Sequence, residues 1–335
     1  MGIGLTHSAR EVQREGREIA FGFGRAIDAR WHTLRGADER AILSQAQSIR
    51  YSRYFRESIS AYRRLDALMA RKGDGGTGFD AALSTPARFV AFLGYSRSGH
   101  SLIGSLIDAH PDAVIAHELH ALKHLNRGYS FEAVVRALWQ NARIFHVMGR
   151  SYTGYDYVVR GQSQGMCRQL RIIGDKKGNG ATRLLRRDPA ALDRILARVP
   201  VPVDFIHVIR NPYDNIATKA LRTGRKLEDA AEVYLANARK ISEIKGRENA
   251  CVYDVHLDEL IAQPKAVLFD IVSRLGLDPE VPGYLDACAE VLFSTPSRSR
   301  DKVTWPERLR DDLARQLADI PFLNAYAKTL TGHRD

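Results

Sequence analysis

The chain has 335 residues, 44% hydrophobic and 27% charged, with 50 basic against 39 acidic side chains and a net charge of +11. Ordinary hydrophobic and aromatic content excludes a disordered chain, and the length allows one large domain or two smaller ones. Three scattered cysteines (Cys167, Cys251, Cys288) exclude a disulfide framework and fit a reducing, cytoplasmic compartment. No apolar run reaches the ~18 residues of a membrane helix. The positive excess suits nucleic acid, an anionic membrane surface or an anionic small molecule. Arginine dominates the basic set, as expected of a GC-rich bacterial genome.

Residues 1–80 carry helical periodicity and no strand pattern. Ile19, Phe23, Ile27 and Trp31 recur every four residues, and Phe55, Ile59, Tyr62 and Met69 repeat the theme. Gly73-Asp74-Gly75-Gly76-Thr77-Gly78 then breaks any helix. A helical N-terminal extension is expected, packed on the core or on another copy of the chain. A lid over an acceptor pocket and contact with a membrane surface are its alternative roles.

From Arg88 the pattern changes. The run Arg88-Phe89-Val90-Ala91-Phe92-Leu93, bounded by Pro86 and Gly94, predicts a buried strand. Further strands are expected at 113–116, 170–173, 204–209 and 251–255. Helices are expected at 100–109, 131–147 and 190–198, with long helical patterns over 213–245 and 257–275. Strands separated by helices predict an α/β domain over 86–330, a three-layer sandwich with a central parallel sheet.

The loop after the first strand, Gly94-Tyr95-Ser96-Arg97-Ser98-Gly99-His100-Ser101, has its glycines spaced as in the phosphate loop of nucleotide triphosphatases. Glycines let the backbone wrap, its N–H groups point inward and the following helix adds positive potential, so an anion is the expected guest. His100 stands where those enzymes place lysine, and the fixed charge is at Arg97, whose guanidinium can fork onto a phosphate or sulfate. Farther on, Arg210 ends an apolar strand and Thr218 lies two helical turns along, so both can converge on one anion. Ser297-Arg298-Ser299-Arg300-Asp301-Lys302 forms a late basic loop.

The stretch 94–99 resembles the 5′-phosphosulfate loop of sulfotransferases that use 3′-phosphoadenosine 5′-phosphosulfate (PAPS), with Ser96 and His100 replacing the usual proline and threonine. The resemblance spans about residues 86–310 and implies a P-loop-like fold, with Arg97, Ser98, Gly99, His100 and Ser101 at the 5′ end of the donor. Arg210 and Thr218 have the spacing of the family's 3′-phosphate residues, and Arg298, Arg300 and Lys302 are candidates for its closing loop. Asp108-Ala109-His110-Pro111-Asp112 followed by Glu118 is similar to the branch containing tyrosylprotein sulfotransferases, which implies Glu118 as general base. His117 is the rival base, since the cytosolic branch uses histidine. Strand alternation is expected to send the two to opposite faces. The same branch implies a lysine that stabilises charge on the transferred group, Lys176 or, failing that, Lys177.

The implied reaction is in-line transfer of a sulfuryl group to a hydroxyl or amine of a small molecule or glycolipid. No metal is expected; His120 and His124 lie four apart, but no third ligand is evident. A P-loop kinase or nucleotide triphosphatase is the alternative. It would want a lysine at position 100 and an acid after an apolar strand, which Asp175 could imitate. A nucleic-acid binder is not expected, since the basic residues are dispersed and no binding motif appears. Tyr152, Tyr155 and Tyr157 give a possible acceptor region its aromatic character.

Overall fold

A computed structural model describes residues 86–330 apart from 148, 149, 153, 154 and 294. The extension expected over 1–80 lies outside the described residues. Along the chain run β1 (Arg88–Gly94), β2 (Ala113–Ala116), the short pair β3 (Ser151–Tyr152) and β4 (Tyr155–Asp156), β5 (Ile172–Asp175), β6 (Val203–Ile209) and β7 (Cys251–His256). Between and after them lie α1 (His100–Asp108), α2 (Ala121–Asn126), α3 (Phe131–Val147), α4 (Gly178–Arg187), α5 (Ala191–Leu196), α6 (Pro212–Thr223), α7 (Leu227–Lys245), α8 (Leu257–Ala262), α9 (Pro264–Arg274), α10 (Tyr284–Ala289) and α11 (Glu307–Ala318).

One sheet has the order β2-β5-β1-β6-β7, and every neighbouring pair in it is parallel. Side chains alternate across it, as a strand requires. Phe89, Ala91 and Leu93 of β1 join a core with Val134 and Leu138 of α3, Leu185 of α4 and Tyr234 and Ile241 of α7. Val90 and Phe92 face the opposite core, built with Ile103 and Leu106 of α1, Leu268 and Val272 of α9 and Tyr284 of α10. Both faces of the sheet are thus covered, so its strands are continuously apolar. The result is the three-layer α/β sandwich expected. Because all five strands run the same way, their C-terminal ends gather at one edge, where open α/β sheets bind ligands.

Several elements differ from expectation. Strand β5 starts two residues later than 170 and ends on Asp175, because a glycine and a carboxylate, which look like a turn, are accommodated inside it. A β-carbon on Gly174 would lie 2.5 Å from the Val90 carbonyl oxygen, so β5 meets β1 only with glycine there. The long pattern over 213–245 is two helices, parted at Gly224, whose left-handed φ of 67° closes α6. The pattern over 257–275 is also two, since Pro264 opens α9 at a position where its missing N–H costs nothing. The β3–β4 hairpin had no counterpart in the sequence reading.

Gly174→Ala forces β5 away from β1, and overpacking of this kind costs about 1–3 kcal/mol. Urea unfolding checks this; an unchanged midpoint would contradict the close approach.

Candidate active site

The loop leaving β1 is wound by residues in the left-handed region: Gly94 at φ 137°, Arg97 at φ 71° and Gly99 at φ 99°. Its underside is fixed from several elements. The Gly94 N–H donates to Thr182 Oγ1 of α4 at 2.9 Å. Ser98 Oγ donates to the Tyr95 carbonyl at 3.0 Å. Asn215 Nδ2 of α6 donates to the Ser96 carbonyl at 2.9 Å and to Ser98 Oγ at 3.0 Å. Ser98 therefore serves the loop with its side chain, leaving its backbone N–H for a guest. Tyr95 is buried against Tyr234 with ring centroids 3.9 Å apart. Such a ring of N–H groups at a helix start is a concavity for an oxyanion.

His100 does not replace the missing lysine. Its Nε2 lies 2.9 Å from the Leu93 carbonyl, so that nitrogen carries the proton and donates it. Burial brings its pKa down to about 4, against the pull of that carbonyl, and the ring is neutral at physiological pH. The ring occupies the space beside Gly178, where a β-carbon would lie 2.3 Å from Nε2. Glycine at the start of α4 is thus what lets the imidazole brace the loop.

Next to the loop, the ends of β2 and β5 bring three charged side chains together. Lys176 Nζ lies 2.6 Å from Ser101 Oγ of α1 and 3.1 Å from Glu118 Oε1. Lys177 Nζ lies 2.8 Å from Glu118 Oε2. The carboxylate sits between the two lysines. Burial alone would raise the pKa of Glu118, but Lys176 and Lys177 override it and hold the carboxyl well below the ordinary value. Burial in turn lowers Lys176 to about 8, against the pull of Glu118. Strand alternation does not separate Glu118 from His117, because β2 ends at Ala116 and Glu118 turns back at φ 61°. His117 instead stacks on Phe145 with centroids 3.9 Å apart.

Asp175 holds this turn in place. Its oxygens accept the N–H of Leu119 at 3.1 Å and of Ala121 at 2.7 Å, capping α2 from another strand. Burial raises its pKa to about 6. Its oxygens are committed to backbone, so it does not resemble a magnesium ligand in waiting. His120, at φ 71°, precedes α2 and does not share a helical face with His124. Among the described residues no group of three or more side chains is placed to hold a metal.

At the end of β6, Arg210 and Thr218 do converge: NH1 donates to Thr218 Oγ1 at 3.1 Å and to the Arg97 carbonyl at 3.2 Å, and NH2 to the Ser297 carbonyl at 2.8 Å. Thr218 Oγ1 donates to Ser299 Oγ at 2.8 Å. The late basic loop is thereby joined to the phosphate loop through Arg210. Its own cations are placed differently. Arg300 is bound to Asp214 through both its guanidinium and its backbone N–H. Arg298 is exposed and paired with Asp301 at 3.0 Å, and Lys302 is exposed. Beyond this cluster, Tyr155 is exposed and meets the exposed Phe293 edge-on, centroids 6.2 Å apart.

Asn215, Thr182 and Ser299 join the site without any sequence signal pointing to them, and Asp175 serves it as a cap rather than as the acid of a kinase. Each acts across the fold and leaves no local signal of that role in the sequence.

A search of curated proteins gives no match. Similar solved structures include the sulfotransferase domain of the Synechococcus PCC 7002 olefin synthase, 18% identical with a TM-score of 0.41, covering 70% of this chain and 94% of that one. A sulfotransferase from Alicyclobacillus acidocaldarius is 17% identical with a TM-score of 0.37, over 76% of this chain and 98% of that one. Mouse sulfotransferase SULT7A1, complexed with PAP, is 13% identical with a TM-score of 0.40, over 75% and 90%. These likenesses are distant. The family model is the decisive finding: it matches residues 90–280, more than half the chain and including the loop, Glu118 and Arg210, and so the chain belongs to the sulfotransferase family.

Proposed function

We propose that the protein transfers a sulfuryl group from PAPS to a hydroxyl or amine, with Glu118 as general base. The observation that carries this reading is the Glu118 carboxylate set between Lys176 and Lys177, beside an anion-binding loop. The donor set fits a doubly phosphorylated nucleotide. Backbone N–H groups of Arg97 to Ser101 would receive its 5′ end, with the Arg97 guanidinium beside them. Arg210, Thr218 and Ser299 would receive the 3′-phosphate, with Arg300 holding their loop through Asp214. The exposed rings of Tyr155 and Phe293 offer a stacking surface nearby.

Sulfuryl transfer is akin to phosphoryl transfer, a loose in-line displacement dominated by positioning and charge stabilisation. Glu118 takes the proton of the acceptor hydroxyl as the acceptor oxygen bonds to sulfur. The bond from sulfur to the phosphate oxygen breaks, and Lys176, anchored to Ser101, faces the charge that develops there. A carboxylate clamped by two ammonium groups is a weak base. Transfer of Lys176 from Glu118 to the donor would relieve that clamp, so the base gains strength when the donor is in place. His117, stacked on Phe145, supports the pocket wall in this reading.

Adenosine 3′,5′-bisphosphate should stabilise the chain without magnesium, by about 2.7 kcal/mol at a hundredfold excess over Kd. Arg210→Ala should lose that stabilisation. Glu118→Gln should keep it while transfer to a phenol falls by about 10²–10⁴-fold; an active Glu118→Gln would move the base elsewhere. The pH dependence of kcat/KM reports the free enzyme's groups. Lys176 is charged below about 8 and neutral above it, so kcat/KM for the donor should fall as pH rises through that value. Glu118 is ionised well below its ordinary range, so the acid limb should lie below about pH 5. A limb between about pH 6 and 7 would assign the base to a histidine such as His117.

A further inference from the structure

Lys177, Lys123 and His120 gather near the second carboxylate oxygen of Glu118, and of the three only Lys177 has a part in the transfer step. Lys177 reaches that oxygen directly. It lies over Gly180 of α4, where a β-carbon would meet both the Lys177 stem at 2.9 Å and His120 Nε2 at 3.1 Å. Lys123, half-buried on α2, has its pKa lowered first by burial and then by Arg127 and Lys177. His120 is brought down to about 3, again by burial first and then by Lys177 and Lys123. Burial sets the direction of both shifts and the neighbouring cations add to it, with Glu118 opposing them at His120. Asp175 is nearby, but both its oxygens are taken by the backbone of the α2 turn. Lys123 has no carboxylate partner among the described residues, and the His120 Nδ1 is buried there without a hydrogen-bond partner. Lys177 has its counter-charge in Glu118 and His120 is neutral, so Lys123 is the half-buried cation left uncompensated, an arrangement that an anion joining it would relieve.

The position of the cluster says which anion. In an in-line displacement the acceptor enters opposite the leaving phosphate. Lys176, bonded to Ser101, ties one Glu118 oxygen to the phosphate loop, and Lys177, Lys123 and His120 gather near the other. We infer that Lys177 and Lys123, with His120 beside them, select an acceptor that carries an oxyanion (carboxylate, phosphate or an existing sulfate) close to the hydroxyl it presents. This rests on Glu118 being the base. Lys123 is a specificity-determining residue in this account, and Lys177 serves both the base and the acceptor.

Matched phenols that differ only in charge test it: 3- and 4-hydroxybenzoate against 3- and 4-hydroxybenzamide, in transfer assays with labelled PAPS at low salt. The carboxylates should exceed the amides in kcat/KM by about tenfold or more, a ratio that falls with added salt as a charge interaction must. Lys123→Gln should bring the ratio toward one. Titration calorimetry of the same phenols into the chain saturated with adenosine 3′,5′-bisphosphate gives the comparison without turnover. Tighter binding of the carboxylates, lost in Lys123→Gln, supports the inference even where transfer is slow. Equal rates and equal binding for benzoates and benzamides would overturn the anion site while leaving Glu118 as base. Binding of none of the four would overturn it as well. A wild-type rate that survives Glu118→Gln would instead remove the reading on which it rests.

Discussion

Two lysine ammonium groups, from consecutive residues after β5, hold opposite oxygens of the Glu118 carboxylate at the end of the neighbouring strand. Each of these charges would be costly to bury alone, and Glu118 with Lys176 is nearly enclosed, with side chains 18% and 4% exposed. Burial of a carboxylate favours its neutral form; here the paired cations outweigh that effect. Everything else around the site keeps the three in register. β2 and β5 pair in parallel, bringing Ala116 level with Asp175. Asp175 then pins the turn that carries Glu118, and Ser101 fixes Lys176 from the start of α1.

The same constraint links the donor and acceptor sides. Lys176 belongs to both the phosphate loop, through Ser101, and the base, through Glu118. Arg210 belongs to both the loop, through the Arg97 carbonyl, and the C-terminal segment, through Ser297. Two polar clusters, one from the 297–300 loop to Arg97 and one from Ser101 to the β2 turn, are thus joined through the phosphate loop. Buried polar chains of this kind hold a single arrangement because breaking any one bond strands its partners. His100, neutral and bonded to Leu93, acts as a brace in this network, where the related phosphate loops use a cation.

Much of the fold was legible in the sequence because its signals are local. The β1 run, the glycines after it and the amphipathic α1 lie within one stretch, and the nine residues from Arg210 to Thr218 span a strand end and two turns of α6. The misplacement of β5 has a physical reason: Gly174 and Asp175 look like a turn, yet the first is there for contact with Val90 and the second to cap α2. The two helix breaks, at Gly224 and Pro264, were overrun by continuous apolar periodicity on either side. The family resemblance implies a single lysine here, and that both Lys176 and Lys177 meet Glu118 depends on the turn after β2, which no local pattern foretells. The pairs that complete the site, Asp214 with Arg300 and Asp175 with Ala121, join residues far apart in the chain and leave no local pattern.

The central claim is that Glu118 is ionised and held by its two lysines in the free protein. Carbon-13 NMR of glutamate carboxyl groups, with the Glu118 resonance assigned by its loss in Glu118→Gln, measures this directly. As pH is lowered, the Glu118 signal should stay in its ionised position after ordinary glutamates, near pKa 4.3, have titrated. A Glu118 signal that titrates with them, or above them, would contradict the account.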